Sequence, residues 1–504
     1  MRVSVVLLAA FVSAVLLWLS SPAVGAGWLA WIALVPVAAA SLAGSRAAVP
    51  LAVVLYLALV LLPALPPGLA HNQWADPIVP VLVADSPIVL AAIAVALFGL
   101  FLYAVRFPTF VPAERLPAWA LVLLPALAWT ALDLLRTKFD PSGLWGPLFL
   151  SQADTPAARA AGLVGPWLLT FLVVALAYGV AVLIVRRRPA SFVVVGALVA
   201  ATAIATALVT VGADGRTLAV AAVQPGYDTA EFDRPVLHYL RKRYRNHELA
   251  TRDLVRDLEP LTRAAAARGA RIVVWPEATA WVDPRTTASS RALLTRLARE
   301  TGVALVVPYF LRYRGEGAAI VVLPDGTLTS PQPKQRPMWF VDEHAGPLEP
   351  GRPVAVGTAT VGSLLGVDNQ DPGVPRALAA EGTDLLVSST HDWAELAPQQ
   401  RAFSRLHASS LGLPLVRADW RFGSAVFGPG GTVGAEAVPG KRRTVVVTRV
   451  EAGSPTPYVR VGDSFGWAAL VLGAALAAGF AQTPSERRLI APRARLARLS
   501  WRRS

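Results

Sequence analysis

The chain has 504 residues, 54% of them hydrophobic and 16% charged, with a formal net charge of +14 and no cysteine. Soluble domains carry about 25% charged residues, so this composition excludes an ordinary soluble protein and points to membrane segments. The absence of cysteine excludes disulfides, thiolate metal sites and a cysteine nucleophile.

Crossing a bilayer takes roughly 20 apolar residues. Uncharged apolar runs near that length fall at 3–19, 28–42, 47–65, 88–105, 118–135, 163–185, 192–211 and 465–480, which predicts eight spans, seven before residue 213 and one after 464. Charge placement tests this count, because Lys and Arg are retained on the cytoplasmic side. With the N-terminus inside, the inward segments hold 14 basic residues (Arg2, Arg46, Arg106, Arg115, the run 186–188 and seven arginines of the tail) against Glu114 and Glu486. The outward loops before the large domain offer only Arg136, Lys138 and Arg159. A pI near 10.7 then reflects topology and a tail lying against anionic headgroups, not nucleic acid, for which no groove-reading motif is present. Arg2, the apolar stretch after it and Val24-Gly25-Ala26 also fit a cleaved secretory signal, an alternative that leaves the large domain on the same side.

From residue 213 to 464 the pattern changes to short β-branched runs alternating with amphipathic stretches, as layered α/β domains show. Strands are expected at 217–224, 272–275, 303–309, 318–323, 354–360, 363–367, 385–389, 415–418, 424–427 and 444–450. A long helix is expected over 234–268, with further helices at 287–300, 373–381 and 396–411. No internal repeat is visible in the sequence. About 250 residues suffice for a domain held by its core alone.

Three places concentrate chemistry. Val273-Val274-Trp275-Pro276-Glu277 is a buried strand ending in a carboxylate, a position that suits a general base and equally a structural ion pair. Pro333-Lys334-Gln335-Arg336-Pro337 holds a lysine between prolines, suited to stabilising an oxyanion or simply solvated. Residues 363–368 run from a strand into a tight turn, where nucleophile elbows sit, but the turn carries Gly366 and Asp368 and neither Ser nor Cys at its tip.

In this order, inside a domain between a seventh and an eighth span, these segments resemble the apolipoprotein N-acyltransferase family of the carbon–nitrogen hydrolase (nitrilase) superfamily. Residues 28–36, 129–145 (with Asp133 where the family usually has Glu), 220–225, Trp275-Pro276-Glu277, His391-Asp392-Trp393 and 417–431 carry the likeness along nearly the whole chain. The resemblance implies a polytopic α-helical protein of the bacterial cytoplasmic membrane with both termini inside. Its parts would be a seven-span domain over 1–212, an extracytoplasmic αββα sandwich over 213–464, an eighth span over 465–482 and a basic cytoplasmic tail over 483–504. It also implies a Glu-Lys-Cys triad that takes an acyl chain from phospholipid and passes it to a lipoprotein's N-terminal amine. Glu277 matches the base, Lys334 the oxyanion lysine, Asp342 or Glu343 an accessory acid, and Asp368 the acid two positions after the nucleophile. The nucleophile position falls on Gly366. No cofactor or metal is implied.

Without a nucleophile, covalent acyl transfer should be lost. The sequence is therefore read as a pseudoenzyme that binds phospholipid, lipoprotein or a partner. Two alternatives stand beside it: an acyltransferase or amide hydrolase using Ser363, Ser388, Ser389 or water, and a scaffold for an envelope enzyme such as a polyprenol-phosphate glycosyltransferase. Trp281, Trp339, Phe340 and Trp393 are candidates to line an acyl pocket or to anchor at the interface.

Overall fold

The computed structural model describes residues 2–45, 47–49, 51–56, 59, 116–139, 146–187, 189–209, 213–226, 247–311, 314–337, 351–392, 394 and 396–482. Two six-stranded sheets dominate the second half. The first, in the order β12-β1-β2-β3-β4-β5, contains β1 (Ala213–Gln224), β2 (Ile272–Val274), β3 (Ala304–Leu311), β4 (Glu316–Val322), β5 (Gln332–Pro333) and β12 (Thr444–Gly453). The second, in the order β11-β10-β9-β8-β7-β6, contains β6 (Val354–Val356), β7 (Ala359–Leu365), β8 (Leu385–Thr390), β9 (Leu415–Asp419), β10 (Ala425–Phe427) and β11 (Val433–Glu436).

Side chains alternate across each strand, so one sequence feeds two cores. Val220, Ala222, Val274 and Val306 of the first sheet meet Val361, Val387, Val416 and Ala418 of the second in a core between the sheets. Their neighbours Ala221, Val223, Val273 and Leu305 point outward onto Leu258 and Leu261 of helix His247–Ala267 and Leu294 and Leu297 of helix Ala288–Thr301. On the opposite outer face, Leu364, Leu386 and Leu415 pack on Leu378 of helix Gly373–Ala380 and Leu411 of helix Ala397–Leu411. The result is an αββα sandwich.

The two halves share a topology. In one, β1, β2 and β3 are parallel with β4 turning back; in the other, β7, β8 and β9 are parallel with β10 turning back. The repeat is one of backbone path and left no trace in the sequence. Clefts of such sheets form beyond the carboxyl ends of the parallel strands. That end carries Glu277 after β2, Gly366 after β7 and Asp392 after β8.

Among the described residues of the apolar part, two helices are long and apolar enough to cross a membrane, Ala118–Lys138 and Trp167–Arg186. Shorter apolar helices cover Val3–Leu19, Gly27–Leu42, Phe192–Leu208 and Ser464–Phe480. The expected run 28–42 is broken into a 3-10 turn, a helix Ala30–Ala33 and a helix Val35–Leu42 with a proline in its first turn, where the missing N–H ends the preceding helix. The expected run 88–105 lies outside the described residues. Helix Ala397–Leu411 joins the two parts: its Phe403 and Leu406 pack with Phe149 and Trp167, and the Phe149 and Phe403 rings meet edge to face at 6.1 Å.

Most expected strands are present within a few residues. The strand expected over 354–360 is instead a hairpin of β6 and β7, because Gly357 takes a left-handed φ of 60° that turns the chain. The separate strand expected at 363–367 is the end of β7, which stops at Leu365. The short strands β5 and β11 were not expected. The long helix begins, among described residues, at His247.

Candidate functional site

Glu277 is delivered by a strand that ends abruptly. Trp275 is fully buried, with its indole N–H donating to Thr262 Oγ1 at 2.9 Å, and Pro276 then leads the chain out of the sheet. The Glu277 carbonyl accepts the Trp420 indole N–H at 2.8 Å. The following residue, Ala278, has a φ of 55°. A left-handed backbone costs an L-residue about 1–2 kcal/mol, so this corner is held by its surroundings against local preference.

Lys334 ends the edge of the first sheet, with its N–H donating to the Gly317 carbonyl at 2.8 Å. Its side chain is 4% exposed, and Nζ donates to Glu277 Oε1 at 2.9 Å, that carboxylate being 19% exposed. Base and cation thus form a largely dehydrated pair whose acid edge still reaches solvent.

Gly366 completes the group. It has a φ of 50°, and a β-carbon built on it would lie 2.7 Å from both carboxylate oxygens of Glu277. Any side chain at 366 would therefore point at the base. Two residues on, Asp368 is buried and accepts N–H bonds from Leu365 at 3.1 Å, Gln335 at 2.9 Å and Arg336 at 2.6 Å. Burial pushes its carboxyl up to about 7, opposed by the Lys334 charge and these three donors. Asp368 acts as a buckle between the Gly366 turn and the Lys334 loop.

The rest of the turn is wired outward. The Asn369 side chain bonds the Gln400 carbonyl at 2.8 Å and receives Ser404 Oγ at 3.0 Å, while His407 Nε2 bonds the Asn369 carbonyl oxygen at 2.7 Å. Burial pushes His407 down to about 4. Asp371 pairs with Lys138 at 3.1 Å and with Arg336. Burial would raise the Asp371 carboxyl, but Lys138 and Arg336 outweigh it and hold the group below the usual carboxylate range.

Behind Glu277 lies a second ionic cluster. Fully buried Arg417 pairs with Asp392 and stands 3.7 Å from Asp419 Oδ2, while its Nε donates to the Gly423 carbonyl at 3.0 Å. Burial pushes Asp392 up to about 7 against the pull of Arg417, and the charges of Asp419 and Glu277 push the same way. Sequence reasoning quoted Asp392 and Arg417 only as parts of motifs. The available signal was an arginine inside an otherwise apolar strand, which must find a carboxylate to be buried at all.

The structure brings Glu277, Lys334, Gly366 and Asp368 together. Trp281 is placed against helix His247–Ala267, with its indole N–H on the Ala278 carbonyl at 3.1 Å and its ring edge-on to His247 at 5.9 Å. Trp339, Phe340, Asp342, Glu343 and Trp393 lie outside the described residues. Among the described residues, Ser363 Oγ and Ser388 Oγ are buried without a hydrogen-bond partner, and Ser389 donates to the Trp275 carbonyl at 2.8 Å, so none of the three serine alternatives is bonded there to a base.

A doubled αββα sandwich with a glutamate–lysine pair beyond its strand ends defines a domain of the carbon–nitrogen hydrolase class, and residues 219–456 match the carbon-nitrogen hydrolase family. Residues 13–179 match the apolipoprotein N-acyltransferase N-terminal domain. With both regions matched in this order, the chain belongs to the apolipoprotein N-acyltransferase family. Among solved structures it is similar to an amidase from Nesterenkonia sp. AN1, at 18% identity over 49% of this chain and 97% of that one, TM-score 0.39. It is also similar to a carbon-nitrogen hydrolase from Helicobacter pylori G27, at 17% identity over 47% of this chain and 89% of that one, TM-score 0.37. No curated protein matches the chain.

Proposed function

We propose that this chain is an acyltransferase-family protein silent for thioester chemistry, which keeps its cleft to bind phospholipid, lipoprotein or a partner in envelope biogenesis. The observation that carries the reading is the placement of Gly366. Position 366, from which a side chain would point at the Glu277 carboxylate, has none, and no cysteine exists elsewhere in the chain to replace it. The acid fills the space in which an attacking atom would stand, so neither acyl–enzyme formation nor its resolution has a starting point.

The setting belongs to the same proposal: eight spans in a bacterial cytoplasmic membrane, both termini inside, and the 213–464 domain outside. Two long apolar helices, several shorter ones and the charge asymmetry support it. The partner reading, including a polyprenol-phosphate glycosyltransferase, extends it.

The test is to incubate the purified chain with phospholipid and a diacylated lipopeptide and to seek N-acylated peptide by mass spectrometry. No product is expected, with retained binding of lipid or lipopeptide. Turnover abolished by Glu277→Ala would overturn the silent reading. It would favour instead the alternative in which Glu277 activates water, for which the intact pair with Lys334 speaks.

A further inference from the structure

Asp371 has no place in the chemistry above, yet it is 7% exposed and holds two cations. Its Oδ1 meets Lys138 Nζ at 3.1 Å and accepts the Gly373 N–H at 2.8 Å; its Oδ2 accepts Arg336 Nε at 2.8 Å. Lys138 closes the apolar span Ala118–Lys138, in the last turn of its helix, and Arg336 stands two residues beyond Lys334. Lys138 also bonds Asp463 Oδ2 at 2.9 Å, and Asp463 Oδ1 accepts the Trp167 indole N–H at 2.9 Å and the Tyr458 hydroxyl at 2.8 Å. Asp463 directly precedes helix Ser464–Gln482. The ends of three apolar helices therefore converge on one knot, and Asp371 connects that knot to the loop bearing Lys334.

We infer that Asp371 is a positioning residue: held by Lys138 and Arg336, it fastens the Lys334 loop to the end of the Ala118–Lys138 helix and so sets Lys334 against Glu277. Two fasteners act on the same short loop. Asp368 grips the amides of Gln335 and Arg336 from the Gly366 turn, and Asp371 grips the Arg336 guanidinium from the membrane side. An exposed ion pair contributes little, because water screens it. A nearly buried carboxylate shared by two cations differs, because losing one partner leaves uncompensated charge out of water. The inference goes beyond the silent-enzyme reading and does not depend on it, since loop placement matters equally for turnover and for binding.

Hydrogen–deuterium exchange on the full-length chain in detergent, followed over residues 333–337, reads the fastening directly. Asp371→Asn and Lys138→Met are each expected to raise exchange of the Gln335 and Arg336 amides at least tenfold while β8 and β9 keep their protection. Asp371→Glu should restore most of it. Asp384→Asn, which breaks the 2.6 Å pair with Arg216, should leave 333–337 unchanged. Unchanged exchange at 335 and 336 in folded Asp371→Asn overturns the inference, as does a rise spread evenly through β8 and β9. If Asp371→Asn does not fold, Lys138→Met and Arg336→Leu are read in the same way, and no effect in either overturns it. Neither negative result touches the lipopeptide assay, so the two readings fail separately.

Discussion

The nearest atoms to a β-carbon placed on Gly366 are the carboxylate oxygens of Glu277, both at 2.7 Å. This contact fixes what a side chain there would do. It would have to displace the end of a glutamate already bonded to Lys334, in a backbone conformation that only glycine adopts without strain.

Gly366→Ala is accordingly expected to destabilise the chain by about 1–2 kcal/mol through its left-handed φ, a fall of a few degrees in melting temperature by intrinsic tryptophan fluorescence. Gly366→Cys should show a similar loss. A thioester adduct with phospholipid acyl chains, seen by intact mass, would mean that the cleft retains working geometry around the vacancy; an inert variant would mean that Glu277 does not yield.

Glu277→Gln removes the carboxylate bonded by an almost fully buried ammonium. Breaking such a pair costs roughly 3–5 kcal/mol, and the partial exposure of Glu277 places the expectation at the lower end. Glu277→Gln combined with Lys334→Met should recover a large part of the loss, which chemical denaturation in a double-mutant cycle measures. Full additivity of the two would contradict the pairing.

Asp392→Ala leaves Arg417 buried beside Asp419 alone. A loss of about 3–5 kcal/mol is expected, on the order of 10 °C in melting temperature. A change within one degree would show that the guanidinium is not dependent on Asp392.

Acidification has a predictable sign at His407. Its ordinary value is 6.5 and its folded value about 4, so between these the unfolded chain binds more protons. Stability present above pH 6.5 is lost as pH falls to 4, by ~3 kcal/mol at most. Asp368 and Asp392, raised from 3.8 to about 7, act in the opposite sense over the whole of that window, stabilising the folded chain as pH falls. The measurement is therefore the difference between wild type and His407→Gln, which should shrink steadily from pH 6.5 to 4.

The sandwich was legible because short apolar runs such as Leu218 to Val223, set between amphipathic stretches, are local information, and the amphipathic helices announce their apolar faces. Glu277 and Lys334 were legible because strand ends and prolines fix where a side chain is presented. The role of Gly366 came from its neighbours, and only the fold could show that its missing side chain points at Glu277. What escaped was coupling at a distance. Asp371 and Lys138 are 233 positions apart, and nothing in a linear pattern marks two charges that meet only after the apolar helices and the domain have docked. The hairpin at Gly357 escaped for the opposite reason, a single left-handed residue inside a run of otherwise extended character.

Each sheet supplies its own acid–cation couple: Glu277 with Lys334 from the first, Asp392 with Arg417 from the second. One couple keeps an edge in water, and the other is sealed. A sealed couple cannot trade its partner for an incoming molecule, whereas the wet one can. The doubled architecture therefore gives its halves different exposure: the dry couple is enclosed by the fold, while the wet couple keeps an edge open to solvent.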